Sequence, residues 1–323
     1  MLSMKVVDIE RFGNSDVLKM DEVPLPTPKE HEVLVKVHAA GVNPVDYKIR
    51  AGHYPAVKED ALPYVLGRDA AGDVIAVGPD VTKFRLGEYV FGMPGIRRGA
   101  YAEYVLLKES EAAHVPAKLD YISAAAVPLA ALTAWQGLFS HGGLRAGQSV
   151  LIHGGSGGVG HFAIQLAKAR GAQVITTVAA EHTEFARKLG ADRIIDYKTR
   201  RFEDEVENLD MVFDLIGGET QDRSFGCIKR GGVLVSTLNE PSQERAAEHG
   251  IRALRYTVEE SGEDLSEIGR LIDAGLVKPH ISRVFSFDEA PEAQDFLERT
   301  HPEGKVVLAV DAIEMETPVT SIP

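Results

Sequence analysis

Residues 149–178 restrict the possible folds more than any other part of the chain. Ser149-Val150-Leu151-Ile152-His153 is a short, apolar, β-prone run, and Gly154-Gly155-Ser156-Gly157-Gly158-Val159-Gly160 is a glycine-rich turn. Phe162, Ile164, Leu166 and Ala167 give the next residues an apolar helical side, Gly171 stands where that helix ends, and a second β-prone run reaches Val178. Strand, glycine turn, helix and strand in that order form a βαβ unit. Glycines at Gly154, Gly157 and Gly160 allow a tight turn, a close approach of backbone amides to a pyrophosphate, and close packing of helix on strand. The helix N-terminus then offers its positive dipole end to the phosphates. A glycine cluster alone marks only a loop, but its flanking elements here predict a dinucleotide site.

The end of the second strand bears on which dinucleotide. An NAD site usually places a carboxylate there, roughly 20 residues past the turn, to accept from the ribose 2′-hydroxyl. This tip reads Thr176-Thr177-Val178-Ala179-Ala180 and holds no acid. Hydroxyl groups tolerate a 2′-phosphate that a carboxylate would repel, so NADP is the expected cofactor. Glu181 follows closely and no arginine stands at the tip; His182, Arg187 and Lys188 are the nearest cationic residues, all readable as a solvated helix face.

A chain of 323 residues suffices for two domains with well-buried cores. Its net charge of −13 disfavours attraction to nucleic-acid phosphates or anionic lipid. Neither nucleic acid nor a membrane is therefore an expected partner. The single cysteine, Cys227, excludes an intrachain disulfide and any multi-cysteine zinc site, and reads as a small buried apolar side chain. No apolar run suits a signal peptide or membrane span, so a cytoplasmic location is expected.

Residues 4–124 read as closely spaced strands, at 5–9, 32–39, 72–78, 88–92 and 101–107, with glycine and proline turns between them. That pattern predicts a small, partly barrel-like β domain. An alanine- and leucine-rich helix over 124–135 leads into the βαβ unit, and strand runs at 193–197, 210–216 and 232–238 alternate with helices, predicting a doubly wound parallel sheet. A helix over 263–274, a strand over 283–287, a helix over 291–299 and a last strand over 305–310 follow, and residues 314–323 read as a loose tail.

Several motifs carry a family resemblance: Gly41-Val42-Asn43-Pro44-Val45-Asp46, Ala51-Gly52-His53-Tyr54-Pro55, Gly67-Arg68-Asp69-Ala70-Ala71-Gly72, Leu132-Thr133-Ala134, the glycine turn, Leu189-Gly190-Ala191-Asp192 and Gly304-Lys305-Val306-Val307-Leu308. From about Met4 to Val310 the chain resembles the medium-chain dehydrogenase/reductase superfamily, in its zinc-free, NADPH-dependent, zeta-crystallin-like quinone oxidoreductase family. The resemblance implies a GroES-like β-rich catalytic domain, residues 1–124 and 262–323, against a Rossmann dinucleotide-binding domain, residues 125–261, with the active site between them. A homodimer is expected from the same likeness.

Zinc-dependent relatives place cysteine and histidine at positions that here match Asn43 and Arg68, and the four-cysteine lobe for structural zinc is missing. His31, His38, His53, His114 and His141 are scattered without ligand spacing. Zinc needs three or more good ligands, so no metal is expected. Without a Lewis acid, reduction of an acceptor that is already electrophilic is easier to explain than alcohol oxidation. Hydride from NADPH would add to a quinone or to an α,β-unsaturated carbonyl, leaving an oxyanion that needs hydrogen-bond donors and a proton. The resemblance makes Tyr54 the proton donor or carbonyl anchor and Asn43 an amide donor, with Tyr47, Tyr64 and Arg68 lining the substrate pocket. It also assigns Ser156, Gly157, Gly158 and Val159 to the pyrophosphate, Thr177 to the adenosine ribose, Tyr197 to the adenosine phosphate and Thr133 to the nicotinamide. Ile216, Leu238 and Lys305 are strand-end candidates for the same cofactor. His153 and His161 flank the turn but read as packing and first-turn residues. Two alternatives remain, an enoyl-thioester reductase and a non-enzymatic nucleotide-binding protein of structural or regulatory role.

Overall fold

The computed structural model describes residues 2–310; the expected tail lies outside the described residues. Strands Ser149–His153, Gln173–Val178, Arg193–Asp196, Leu209–Asp214, Ile228–Ser236 and Arg252–Arg255 form one six-stranded sheet, parallel throughout. Numbered along the chain, their spatial order is 3-2-1-4-5-6, the doubly wound arrangement whose order reverses beside the first strand. The glycine turn follows that strand, so it opens at the point where ligands bind in such sheets. The last strand, Arg252-Ala253-Leu254-Arg255, has no apolar alternation to announce it and is identified here by its parallel pairing with Val233–Ser236.

The expected helix over 124–135 is interrupted. Tyr121–Ala125 is capped by the Asp120 carboxylate on the Ser123 amide, and a new helix starts at Pro128, which has no N–H to continue the first. Pro128–Trp135 then runs into a π-helical turn, Gln136–His141. Helix Gly158–Ala169 is enclosed on nearly every side rather than on one. Its Gln165 is buried but satisfied, donating to the Lys278 carbonyl at 3.0 Å and accepting the Lys278 amide at 2.8 Å.

A second, seven-stranded sheet collects both ends of the chain. Glu32–Val42 is flanked by Asp69–Val77 and by the distant strand Lys305–Ala309, both antiparallel, and Lys305–Ala309 pairs in parallel with Ile281–Ser286. Tyr89–Gly92, Ala112–His114 and Tyr104–Lys108 complete it, while Leu18–Pro24, Ser3–Ile9 and Tyr64–Val65 form a small antiparallel sheet alongside. This is the GroES-like β-rich architecture beside a Rossmann sheet. Helix Gly262–Asp273 buries Leu265, Ile268 and Ile272 along one stripe, in an apolar core that Leu132, Phe162 and Phe213 share with Ala71, Phe91 and Ala113 of the seven-stranded sheet, and its Gly262 amide donates to the Ser110 carbonyl. The helix thus lies where the two sheets meet. Among the described residues no helix is long and apolar enough to cross a membrane.

Candidate active site

The glycine turn has the conformation its glycines permit. Gly154 takes φ +76°, a side chain at Gly160 would stand 2.1 Å from the Gly154 carbonyl oxygen, and one at Gly157 would meet nothing nearer than 3.6 Å. Gly154 thus makes the bend, Gly160 packs helix on strand, and the open side at Gly157 is where a pyrophosphate approaches. Helix Gly158–Ala169 begins there without a side-chain cap, which leaves its first amides for an anion. Three exposed apolar side chains rim the cradle just past the carboxyl ends of successive strands: Tyr197, Ile216 and Leu238. Ile216 leans over Gly154 and Val159 packs beneath. These residues fit a bound dinucleotide.

Support for the turn comes from groups that composition could not assign. Asp214, fully buried at the end of its strand, accepts from the amides of Ile216 and Gly217 at 3.0 and 2.9 Å, from Gln221 Nε2 and from Ser236 Oγ. On the other side the Ser224 hydroxyl donates to the Thr220 carbonyl, so His153 must donate from Nε2 to Ser224 Oγ and accept at Nδ1 from Thr177. Thr177 Oγ in turn accepts from the Gly154 amide at 3.4 Å. The ribose role expected of Thr177 is therefore corrected: its hydroxyl is buried within the strand and braces the turn. Burial pushes His153 down to about 4 and His161 down to about 3, so both are neutral imidazoles. His161 accepts the His280 amide at Nε2 and so carries its proton on Nδ1, toward the Gly157 carbonyl.

Beyond the tip, Glu181 pairs with Lys198 Nζ at 2.9 Å, which places a cation next to Tyr197 at the expected adenosine end. Ser156 is tied through its carbonyl to the Gly304 amide at 2.9 Å. Thr133 turns its hydroxyl back onto the Leu129 carbonyl, and its own carbonyl accepts the Tyr256 hydroxyl.

Across the cleft, Asn43 and Lys305 require correction together. Lys305 is buried with its ammonium on Val42 O at 3.0 Å, Asn43 Oδ1 and Asp69 Oδ2 at 3.3 Å. Only its aliphatic stem reaches Gly158. Asn43 Nδ2 donates to Asp69 Oδ2 at 2.7 Å and more weakly to Gly41 O, while Asp69 Oδ1 accepts the Leu129 amide at 2.6 Å. Asn43 is thus engaged at both ends of its amide and positions the site instead of donating to an acceptor, and Lys305 supports the cofactor turn without offering it a charge. Tyr64 is corrected as well: its hydroxyl donates to the Ile96 carbonyl, leaving only the ring for the pocket, and burial pushes it up to about 12. Tyr47 is half-buried on helix Pro44–Arg50, where Glu298 and Arg50 are the charges acting on it, placing it toward helix Ala290–Thr300. Tyr54 is half-buried with no partner for its hydroxyl among the described residues, and it and Arg68 act electrostatically on Tyr64. Among the described residues no group of three or more His, Cys, Asp or Glu side chains could hold a metal ion. Cys227 is buried, with its thiol pushed up to about 11 by that burial.

A parallel sheet with a glycine turn and an uncapped helix start at its switch point, faced by a GroES-like sheet, is the architecture of a nicotinamide-dependent oxidoreductase. Residues 29–117 match the alcohol dehydrogenase GroES-like domain and residues 189–308 the zinc-binding dehydrogenase family. The NAD(P)H oxidoreductase RTN4IP1, mitochondrial, of Danio rerio is 36% identical over 348 residues, covering 94% of this chain and 90% of its own. The NADPH-dependent alkenal/one oxidoreductase, chloroplastic, of Arabidopsis thaliana is 37% identical over 317 residues, covering 94% and 79%. The solved quinone oxidoreductase from Coxiella burnetii superposes with a TM-score of 0.89 at 37% identity, covering 96% of this chain and all of that one. The chain belongs to the medium-chain dehydrogenase/reductase superfamily, in its quinone oxidoreductase family, and is an NADPH-dependent oxidoreductase.

Proposed function

We propose that this enzyme reduces a quinone or an α,β-unsaturated carbonyl compound with NADPH and without zinc. The observation that carries the reading is the character of the cleft opposite the dinucleotide cradle. The two positions that match metal ligands in zinc-dependent relatives hold Asn43 and Arg68, and the half-buried Tyr54 hydroxyl is without a partner among the described residues. Such a wall suits an acceptor that is electrophilic unaided and needs donors for its oxygen. The names of the relatives, quinone oxidoreductase and alkenal/one oxidoreductase, agree with that chemistry.

NADPH when bound supplies the hydride. The glycine turn and the first amides of helix Gly158–Ala169 bind its pyrophosphate, and Lys198 beside Tyr197 meets the 2′-phosphate. Helix Pro128–Trp135, carrying Thr133, backs the nicotinamide. Tyr54 holds the acceptor oxygen and passes a proton toward it as charge develops, drawing a replacement from water. A small-molecule acceptor is the substrate, and a homodimer is the assembly expected from the likeness to the family.

The test is oxidation of reduced nicotinamide, NADPH beside NADH, against quinones and α,β-unsaturated ketones with a strong chelator present. Turnover should prefer NADPH and survive chelation. Tyr54→Phe should lower kcat by about 10²-fold or more while NADPH binds as before. Turnover abolished by chelator, or Tyr54→Phe indistinguishable from the parent, would overturn the zinc-free or the Tyr54 part respectively. Tight NADPH binding with no turnover on any acceptor would instead favour a non-enzymatic role.

A further inference from the structure

Arg68 lies in the connection between strands Tyr64–Val65 and Asp69–Val77, with its side chain 8% exposed. A guanidinium carries five N–H donors. This one uses a single partner among the described residues, Glu260, whose Oε1 lies 2.7 Å from Nη2. Its Nε is completely enclosed and has no partner. Buried donors are almost always satisfied, and one left unsatisfied is costly, more so when it is charged. Nε is sealed from any ligand, but Nη1 also has no partner among the described residues and is not enclosed, so it is the donor that a bound oxygen would complete.

The neighbours of Arg68 place it in the cleft. Asp69, the next residue, holds the Leu129 amide at the start of the helix that carries Thr133. Glu260 follows Glu259, whose amide and carbonyl are both held by the side chain of Gln136 where that same helix continues. The guanidinium thus spans from the catalytic sheet to the segment that leaves the dinucleotide sheet, beside the helix that carries Thr133. On its own side it shares an electrostatic environment with Tyr64, which also feels Tyr54.

We propose that Arg68 is a catalytic residue that donates its free N–H groups to the oxygen of the acceptor and carries the negative charge arising there. This rests on the reductase reading above. The C–H bond at C4 of the dihydronicotinamide breaks with its electron pair, which forms a new C–H bond at the β-carbon of the acceptor. The former C=C pair moves toward the carbonyl, and its oxygen becomes an oxyanion facing Arg68. A proton from the Tyr54 hydroxyl, replaced from water, completes the saturated carbonyl, so one NADPH and one proton are consumed and one NADP⁺ is formed. Arginine suits this place because it stays charged and its planar fork is preorganised. Glu260 is the positioning residue: it ties one edge of the fork and leaves the remainder for the substrate.

Two variants and one probe test this. Arg68→Met removes the donors, and Arg68→Lys keeps a cation in reach of Glu260 but loses the fork, so it remains informative should the first fail to fold. Both should lose about 10²–10³-fold in kcat/KM for the acceptor. The NADPH dissociation constant, read from the fluorescence of the bound cofactor, should stay within about twofold. The probe is 4-nitrophenolate, an oxyanion whose visible absorbance reports its ionisation, titrated into the NADP⁺ complex. The parent should bind it as the anion and Arg68→Met should bind it at least about tenfold more weakly. Undiminished kcat/KM together with unchanged nitrophenolate binding in Arg68→Met would overturn the assignment while leaving the reductase reading intact. A parent that turns over no acceptor sinks the reductase reading, and the nitrophenolate titration then still decides whether Arg68 holds an anion.

Discussion

Asp46 departs far from the ordinary behaviour of a carboxylate. It is fully buried; Oδ2 accepts the Asn43 amide at 2.8 Å and the Tyr101 hydroxyl at 3.0 Å, and Oδ1 has no partner among the described residues. Burial pushes its carboxyl up from 3.8 to about 7, with Asp69 adding to the rise and the two donors and Lys305 opposing it. The folded chain therefore keeps a proton where the unfolded chain has lost it. The stability this group confers is full below pH 3.8 and falls as pH rises through about 7, by about 1.4 kcal/mol per unit in between. Asp46→Asn keeps an acceptor for both donors and cannot titrate. Urea midpoints of the variant should thus gain on those of the parent between about pH 4 and about pH 7; parallel curves would show that Asp46 is ionised throughout. None of this was legible in the sequence, where Asn43-Pro44-Val45-Asp46 stands out only as part of a family motif. The same holds for Asn43, whose amide is taken up by Asp69 and by Lys305, residues far along the chain, and for Arg68, whose partner Glu260 stands nearly two hundred positions away. Local spacing names such residues but cannot say what faces them.

At the scale of elements the sequence spoke more clearly, because a βαβ unit is a local object. Strand, turn and helix at 149–169 could be read in order, since the three glycines and the apolar side of the helix are set by near neighbours. The interruption at Pro128 and the short strand Arg252–Arg255 were harder, the first because alanine and leucine favour helix on both sides of it, the second because its identity lies in what it pairs with. The turn also gives a sharp expectation. Gly160→Ala puts a methyl group 2.1 Å from the Gly154 carbonyl oxygen, and backbone on backbone cannot yield without opening the bend. The variant should lose about 1–3 kcal/mol of stability and most of its affinity for NADPH. Gly157→Ala, where the nearest atom is 3.6 Å away, should keep the stability and lose mainly the cofactor. Calorimetry with and without NADPH separates the two; equal behaviour of both variants would mean that the third glycine does not pack helix on strand.

The whole molecule is joined where its last strand returns to the first sheet. Within residues 303–305, Glu303 meets His182 at 2.9 Å, the Gly304 amide holds the Ser156 carbonyl, and Lys305 neutralises Asp69 while its stem lies against Gly158. One short segment thus touches the dinucleotide turn and the floor of the catalytic cleft, which is how occupancy of one can stabilise the other. Lys305→Met removes the cation but leaves Asp69 buried, a situation that costs about 3–5 kcal/mol. Lys305→Met combined with Asp69→Asn removes both charges and should recover much of that loss. NADPH at a hundred times its dissociation constant should add about 2.7 kcal/mol to the parent. At that same NADPH concentration the stabilisation should shrink in Lys305→Met, because the uncompensated Asp69 loosens the segment that flanks the turn, and return in part in the double variant. A double variant no more stable than Lys305→Met would show instead that the lysine acts by packing its stem and not by compensating the charge of Asp69.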